Sequence, residues 1–141
     1  MSEANKAVAL RFIEAMSASD PEAAAACMAR DGRAVTKGYS RFAGTRPAEL
    51  VIGAIDSFKM LFPTGLGLVV QSVLADGDRV VIEAEGNATT ADGAPYRNQY
   101  CFVITVKDGL VHQINEYLCS ALAEAVLGPL VERTGTLRGA T

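Results

Sequence analysis

Acidic, amide and phenol side chains recur at alternate positions in three strand-like segments of the second half of the chain. Glu83 and Glu85 lie in the first segment, Asn98 and Tyr100 in the second, and Glu116 in the third. Carboxylates that share an apolar cavity repel one another and lose hydration, and both effects raise the pKa of at least one of them. A neutral acid beside an ionised carboxylate can perform general acid/base catalysis near neutral pH.

Two Asp-Gly pairs, at 92–93 and 108–109, predict where these segments turn back on one another. Asp-Gly favours tight hairpins because Gly adopts positive φ without strain. A two-residue loop at 92–93 places Glu85 opposite Tyr100. A type I turn with a glycine bulge at 108–109 places Tyr100 opposite Glu116. The three side chains then form one row across the sheet.

This register predicts that one face of the sheet lines a cavity. We expect Glu116 to be a catalytic base, Glu85 its protonated partner and Tyr100 an oxyanion donor. The substrate-binding residues are expected on the same face and on the first helix: Glu83, Asn87, Asn98, Phe102, Ile114, Leu118, Phe12 and Met16. A slip of one residue in either hairpin would exchange the faces, and the carboxylates would then be a solvated surface.

The elements that must position these residues follow from the hydrophobic period. A period of 3.6 predicts a helix over 5–17, and Asp20-Pro21-Glu22 predicts the start of a short second helix that ends near 31–32. A third helix is expected to start at 44–47 and to end at about 61. From residue 67 the hydrophobic period is two. Four strands are expected, at 67–76, 79–89, 96–106 and 110–118, and a last helix follows them. Helices followed by an antiparallel meander indicate an α+β fold.

Bulk properties set the expected class of protein. The 141 residues fit one domain, 1–141, with a tail from about 133 expected to be disordered. A net charge of −3 with interspersed signs argues against a nucleic-acid partner. The start lacks signal-peptide order and no apolar run has membrane-spanning length, so we expect a cytoplasmic protein without a membrane partner.

No motif for a cofactor or a metal stands out. His112 is the only histidine, the three cysteines have no metal-ligand spacing, and Thr64-Gly65-Leu66-Gly67 lacks the lysine of a phosphate loop. We therefore expect no cofactor, and a small apolar or oxygenated molecule as the ligand.

The opposite face of the expected sheet is apolar enough to need covering. It carries, in the expected register, Val80, Ile82, Ala84, Gly86, Cys101, Val103, Val111, Gln113 and Tyr117. A second copy of the chain is the simplest cover, so we predict a homodimer through this face.

Four stretches together resemble a known family: 6–20, 27–32, 42–49 and above all 92–118, which reads DGAPYRNQYCFVITVKDGLVHQINEYL. In their order and spacing the chain resembles the nuclear-transport-factor-2-like superfamily, specifically its SnoaL-like branch. The resemblance implies a curved antiparallel sheet and N-terminal helices that form a cone around a ligand cavity. Members include ketosteroid isomerases, polyketide cyclases, limonene-type epoxide hydrolases, dehydratases and non-catalytic binding domains, so it does not imply one reaction.

Residue by residue, the resemblance is incomplete at the catalytic positions. Phe12 and Thr36 match the tyrosine and the aspartate base of ketosteroid isomerases, and neither can take that role. Glu85 and Glu116 match the paired acids of limonene-type epoxide hydrolases, but Glu83 stands where that family has an arginine. Neither family's mechanism is therefore expected unchanged.

These observations favour a cofactor-free acid/base enzyme acting on a largely apolar, oxygenated molecule. Isomerisation, cyclisation, dehydration and hydrolysis are all compatible with the predicted row of residues. The alternative is a domain that binds a small molecule, or dimerises, without catalysis.

Overall fold

The computed structural model describes residues 2–137 and contains four helices and eight strands in that range. The helices are α1 (Ser2–Ser17), α2 (Pro21–Cys27), α3 (Ala48–Leu61) and α4 (Ser120–Thr134). The strands are β1 (Met28–Thr36), β2 (Gly44–Pro47), β3 (Val69–Asp76), β4 (Arg79–Glu85), β5 (Ala88–Thr89), β6 (Pro95–Tyr96), β7 (Gln99–Lys107) and β8 (Leu110–Leu118).

Six strands form the main sheet, in the order β2-β1-β8-β7-β4-β3, and β5 pairs with β6 separately. All pairs in the main sheet are antiparallel except β1 with β8, which is parallel. Buried side chains of the helices and of one sheet face form a single hydrophobic cluster. The predicted α+β class, with a curved, mainly antiparallel sheet and N-terminal helices, is confirmed.

The second helix is shorter than its sequence indicates. Asp20 caps it by accepting a hydrogen bond from the backbone N–H of Ala23 at 3.1 Å, and Pro21 occupies its first turn, as predicted. It ends at Cys27, because Met28 is extended and pairs with Val111 of β8. Pairing across the sheet therefore overrides the helical preference of residues 28–30.

Residues 44–47 are a strand and not the start of the third helix. β2 pairs with β1, with Gly44 opposite Thr36 and Arg46 opposite Ala34. Helix α3 then begins at Ala48, directly after Pro47. As a strand residue, Arg46 lies in the sheet beside the inner residues of β1.

The hairpin between β4 and β7 has a register one residue away from the expected one. Ala84, and not Glu85, lies opposite Tyr100. The loop holds three residues, 91–93, because Thr90 pairs with Ala94: the N–H of Thr90 donates to the Ala94 carbonyl at 2.8 Å. The Thr90 hydroxyl, itself buried, accepts from the Ala94 N–H at 3.0 Å and fixes this loop.

This slip reverses the two faces of β4. Glu83 and Glu85 are exposed, whereas Val80, Ile82 and Ala84 are buried in the core. The expected pocket face for the two glutamates is therefore wrong, and so is the outer face expected for the three apolar residues. Gly86 and Val111, also expected on the outer face, are buried too, whereas Cys101, Val103, Gln113 and Tyr117 are partly or substantially exposed there.

The hairpin between β7 and β8 differs from the expected one in its loop and in a bulge. Together the two differences leave the side chains of both strands on the expected faces of the sheet. The loop is the two residues Asp108 and Gly109, both with positive φ (53° and 74°). A bulge follows at His112 of β8, between the pairs Val106–Val111 and Thr105–Gln113. Tyr100 lies opposite Leu118 and Phe102 opposite Glu116, a shift of two residues. Because the side-chain period of a strand is two, Glu116 keeps its inward direction.

Helix α4 is held over the sheet by one arginine of the loop between β1 and β2. The Arg41 guanidinium lies 2.7 Å from Glu124 and 2.6 Å from Glu132, and it donates to the Gly128 carbonyl at 3.2 Å. Arg133 and Thr134, which the sequence placed in a disordered tail, are in α4, and residues 135–137 are also described; only 138–141 of that prediction lie outside the described residues. Among residues 2–137, no helix combines the length and apolarity that crossing a membrane requires.

Candidate active site

A cavity of about 130 Å³ lies between helices α1, α3 and α4 and the inner face of β1, β2, β7 and β8. Its size is close to that of a cavity of ~150 Å³ known to hold benzene. Its walls are mainly aromatic and aliphatic, including Phe12, Met16, Phe58, Phe62, Leu127 and Leu137. A molecule with one ring, or a short branched chain, fits this space.

The sheet register arranges the polar groups of the cavity in two adjacent rows. One row runs from Thr36 of β1 through Glu116 of β8 to Phe102 of β7. In the next row, Arg46 of β2 stands opposite Ala34 of β1. All five side chains line the cavity, so the polar Thr36, Glu116 and Arg46 gather at the β2-β1-β8 end of the sheet.

Glu116 is the only carboxylate on the cavity wall among residues 2–137. Burial raises its pKa to about 7, because the ionised form loses its hydration in these apolar surroundings. The positive charge of Arg46 and a hydrogen bond from the Thr36 hydroxyl lower the pKa, but their effect is smaller than that of burial. Glu116 can therefore accept or donate a proton near neutral pH.

Thr36 connects Glu116 to Arg46. The Nη1 atom of Arg46 donates to Thr36 Oγ1 at 3.4 Å, which leaves the threonine proton free to point at the Glu116 carboxylate. Arg46 is 8% exposed, and burial lowers the pKa of its guanidinium, while Glu116 raises it. The two charges therefore interact across a hydroxyl group rather than through a direct ion pair.

Two buried tyrosines supply the other polar atoms of the cavity. The hydroxyls of Tyr96 and Tyr100 are hydrogen-bond partners, and burial is the main cause that raises the pKa of both phenols. Both therefore stay neutral; when Tyr96 donates to Tyr100, the Tyr100 proton is free to point into the cavity. Tyr100 also stacks on Phe102, with ring centroids 5.5 Å apart, which holds its ring against the wall.

Asn98 supports this pair from behind and does not line the cavity. It is fully buried, and its Nδ2 donates to the Tyr96 hydroxyl at 2.8 Å and to the Cys119 carbonyl at 3.1 Å. Its Oδ1 accepts from the backbone N–H groups of Gln99 and Cys119. These four bonds use the whole amide, so the expected contact of Asn98 with substrate is replaced by a role in orienting Tyr96.

The structure brings seven of the eleven predicted site residues to the cavity: Glu116, Tyr100, Phe102, Ile114, Leu118, Phe12 and Met16. It separates Glu83 and Glu85 from the cavity, because both are exposed in the slipped β4 register, and Asn87, just after β4, is exposed too. Glu85 therefore cannot be the protonated partner of Glu116.

The eleven predicted site residues did not include Arg46, Thr36 or Tyr96. Tyr96 follows Pro95 in a two-residue strand too short to show a period. Arg46 and Thr36 become neighbours only through the pairing of β1 with β2, which joins residues on either side of the loop 37–43. The alternation of Ala34 and Thr36 with exposed Arg33 was the one local signal that could have shown the inner face of β1.

Other reactive residues lie away from the cavity. His112 is partly exposed, with Nδ1 4.0 Å from a carboxylate oxygen of Asp31. Within the described part of the chain, no group of three or more His, Cys, Asp or Glu side chains could hold a metal ion.

The helices that pack on one face of a curved, mainly antiparallel sheet define the class of α+β fold to which this protein belongs. The chain belongs to the SnoaL-like domain family, whose sequence pattern matches residues 9–114. No curated protein matches the sequence.

Solved structures confirm the fold. PrhC from Penicillium brasilianum superposes with a TM-score of 0.81 at 18% identity, covering 94% of this chain and 91% of that chain. An LEH-like epoxide hydrolase from M. tuberculosis gives 0.74 at 17% identity, over 95% and 97%. A protein with a ketosteroid isomerase-like fold from Catenulispora acidiphila, in complex with trimethylamine, gives 0.72 at 16% identity, over 86% and 92%. These likenesses concern the fold, which hosts several activities.

Proposed function

We propose that this protein is a cofactor-free enzyme that transfers a proton on a small, largely apolar carbonyl compound, as an isomerase or a cyclase does. The observation that carries the proposal is Glu116, a carboxylate on an apolar cavity wall with a pKa raised by burial to about 7. A base of this pKa is both ionised and basic enough to work at neutral pH.

The presence of a single carboxylate favours proton transfer at carbon over epoxide hydrolysis. Hydrolysis with paired acids needs one carboxylate to activate water and a second to protonate the oxygen. Among the carboxylates of residues 2–137, only Glu116 lines the cavity, and Glu85 lies on the other face of the sheet. One carboxylate is enough to take a proton from one carbon and to return it to another.

The proposed reaction uses three side chains. Ionised Glu116 takes a proton from the carbon next to the substrate carbonyl, and the electrons of the broken C–H bond form an enolate. The Tyr100 hydroxyl donates a hydrogen bond to the enolate oxygen, and the nearby charge of Arg46 lowers its energy. Protonated Glu116 then returns the proton to a different carbon, or the enolate carbon attacks a second carbonyl and closes a ring. In the second case the carbonyl π bond breaks, and the alkoxide that forms takes the proton from Glu116.

Deuterium exchange tests this proposal without knowledge of the natural substrate. Small ketones such as cyclohexanone and phenylacetone are incubated with the protein in D₂O, and loss of the proton next to the carbonyl is followed by NMR. We expect catalysed exchange whose rate rises with pH through a midpoint near 7, because only ionised Glu116 is a base.

Two substitutions, each of which removes one carboxylate, compare the effect of a cavity residue on the exchange rate with that of an outer-face residue. Glu116→Gln should lower the catalysed rate about a hundredfold or more. The matched control Glu85→Gln, an exposed residue of β4, should leave the rate within about twofold. Saturable ketone binding without exchange above the buffer rate would contradict the proposal and would favour a binding domain without catalysis.

We also propose that the protein forms a homodimer through the outer face of the sheet. Leu74, Tyr117 and Val69 lie there with 67%, 44% and 58% exposure, beside the partly exposed Val103 of the central strand β7. Light scattering should give the mass of two chains for the wild type and of one chain for Val103→Glu. A single-chain mass for the wild type at micromolar concentration would reject the dimer.

A further inference from the structure

Arg46 is a buried cation whose hydrogen bonds go only to neutral groups. Nη1 donates to the Phe42 carbonyl at 3.1 Å and to Thr36 Oγ1 at 3.4 Å, and Nη2 donates to the Leu137 carbonyl at 3.4 Å. Its Nε–H is buried without a partner. Among residues 2–137, no carboxylate oxygen lies within 4.0 Å of the guanidinium. Two of its three bonds are long, and a guanidinium has five N–H donors, so this cation is incompletely satisfied.

Glu116 does not supply the missing counter-charge. It is separated from Arg46 by the Thr36 hydroxyl, and its pKa of about 7 means that the carboxyl is neutral in a large fraction of molecules at neutral pH. The other titratable groups on the cavity wall, Tyr96 and Tyr100, stay neutral. The described cavity wall therefore carries one positive charge whenever Glu116 is protonated.

A buried charge without a partner is costly, and arginine is suited to binding carboxylates. Arg46 borders a cavity whose remaining walls are aromatic and aliphatic. We propose that the ligand of this cavity is a small organic monoanion, with its carboxylate toward Arg46 and its apolar body among the aromatic side chains. If the proposed proton transfer is also correct, the substrate is a small oxo acid. The binding of the anion itself does not depend on that reaction.

The Leu137 carbonyl marks where the carboxylate would bind. Within residues 135–137 it accepts the only hydrogen bond that Arg46 donates to the chain after α4, and Leu137 itself lines the cavity. A carboxylate can accept two parallel hydrogen bonds from a guanidinium and adds the attraction of opposite charges, which a neutral carbonyl cannot do. A ligand carboxylate would therefore displace this carbonyl from Nη2.

Benzoate and benzamide are suitable probes because they share one shape and differ in charge. Their binding is measured by calorimetry at about pH 6 and about pH 8. We expect the wild type to prefer benzoate at least about tenfold. The preference should be larger at the lower pH, because ionised Glu116 repels the anion. Glu116→Gln should remove this pH dependence and retain the preference.

Substitution of two different arginines tests whether the preference for benzoate depends on Arg46. Arg46→Met should weaken benzoate binding by about 30-fold or more and leave benzamide within about threefold. Arg33→Met, which removes one exposed charge from β1, should change neither. Should Arg46→Met fail to fold, Arg46→Lys keeps the charge without the planar fork, and a partial loss of the benzoate preference is expected.

Equal affinity of the wild type for the two probes, or an unchanged benzoate affinity in folded Arg46→Met, would overturn this inference. Either result leaves the ketone exchange and its loss in Glu116→Gln untouched, because that test uses neutral probes. Conversely, benzoate binding without ketone exchange would support an anion-binding cavity and reject the proposed catalysis.

Discussion

Glu116 and Glu85 lie two strands apart in one sheet, and they face opposite sides of it. Glu116 borders an apolar cavity, where burial raises its pKa to about 7; Glu85 is exposed on the outer face. The residue type is the same, and so is the strand environment along the backbone. The difference is set by hairpin geometry, since one inserted loop residue exchanges the faces of a strand. In this fold, loop length therefore decides which carboxylate is available for chemistry.

The largest expected effect is on the free energy of unfolding. It tests which residues of β4 face the core, by substitution of two neighbouring residues. Ile82 is fully buried and Glu83 is exposed. Ile82→Ala should lower the free energy of unfolding by about 2–5 kcal/mol, and Glu83→Ala should change it by less than about 0.5 kcal/mol. Urea unfolding measures both. The reverse order would show that β4 has the register expected from the sequence.

The next effect is the pH dependence of stability that Glu116 introduces. Its pKa rises from 4.5 to about 7 on folding, so the folded protein keeps a proton that the unfolded chain releases between these values. Stability is therefore highest below the lower value and falls by about 3 kcal/mol as the pH rises to the upper one.

Glu116→Gln should lack this loss. The free energy of unfolding of the variant, minus that of the wild type, should increase by about 3 kcal/mol between about pH 4 and about pH 8. Denaturant unfolding at a series of pH values measures the difference. A difference that does not change with pH would mean that Glu116 is well hydrated in the folded protein.

The smallest effect concerns the hydroxyl between Arg46 and Glu116. Thr36→Val removes the hydrogen bond that stabilises the ionised carboxylate, so the pKa of Glu116 should rise further. The midpoint of the pH–rate profile for ketone exchange should move upward by about one unit. Thr105→Val, on the outer face of β7, is the matched control and should leave the midpoint in place.

The two Asp-Gly hairpins show how much of the fold the sequence predicts. Both turns were located correctly, because Asp-Gly and the change to a period of two are local signals. Neither register was predicted, because loop length depends on details such as the Thr90 hydroxyl that accepts from Ala94. At 92–93 the error of one residue reversed β4, whereas at 108–109 a shorter loop and a bulge compensated.

The candidate site was predicted where it depends on parity within one strand, as for Tyr100, Phe102 and Glu116. It was missed where it depends on pairing between distant segments. Arg46 belongs to a stretch whose Gly-Thr-Arg-Pro sequence is typical of a helix start, and only its pairing with β1 makes it a strand. That pairing also creates the contact with Thr36.

The most direct test of the account is the titration of the Glu116 side-chain carboxyl by ¹³C NMR, assigned by comparison with Glu116→Gln. The midpoint expected in the wild-type protein is near 7. A midpoint at the ordinary glutamate value of about 4.3 would contradict it, because the carboxylate would then be hydrated and the cavity would contain no base suited to proton transfer from carbon.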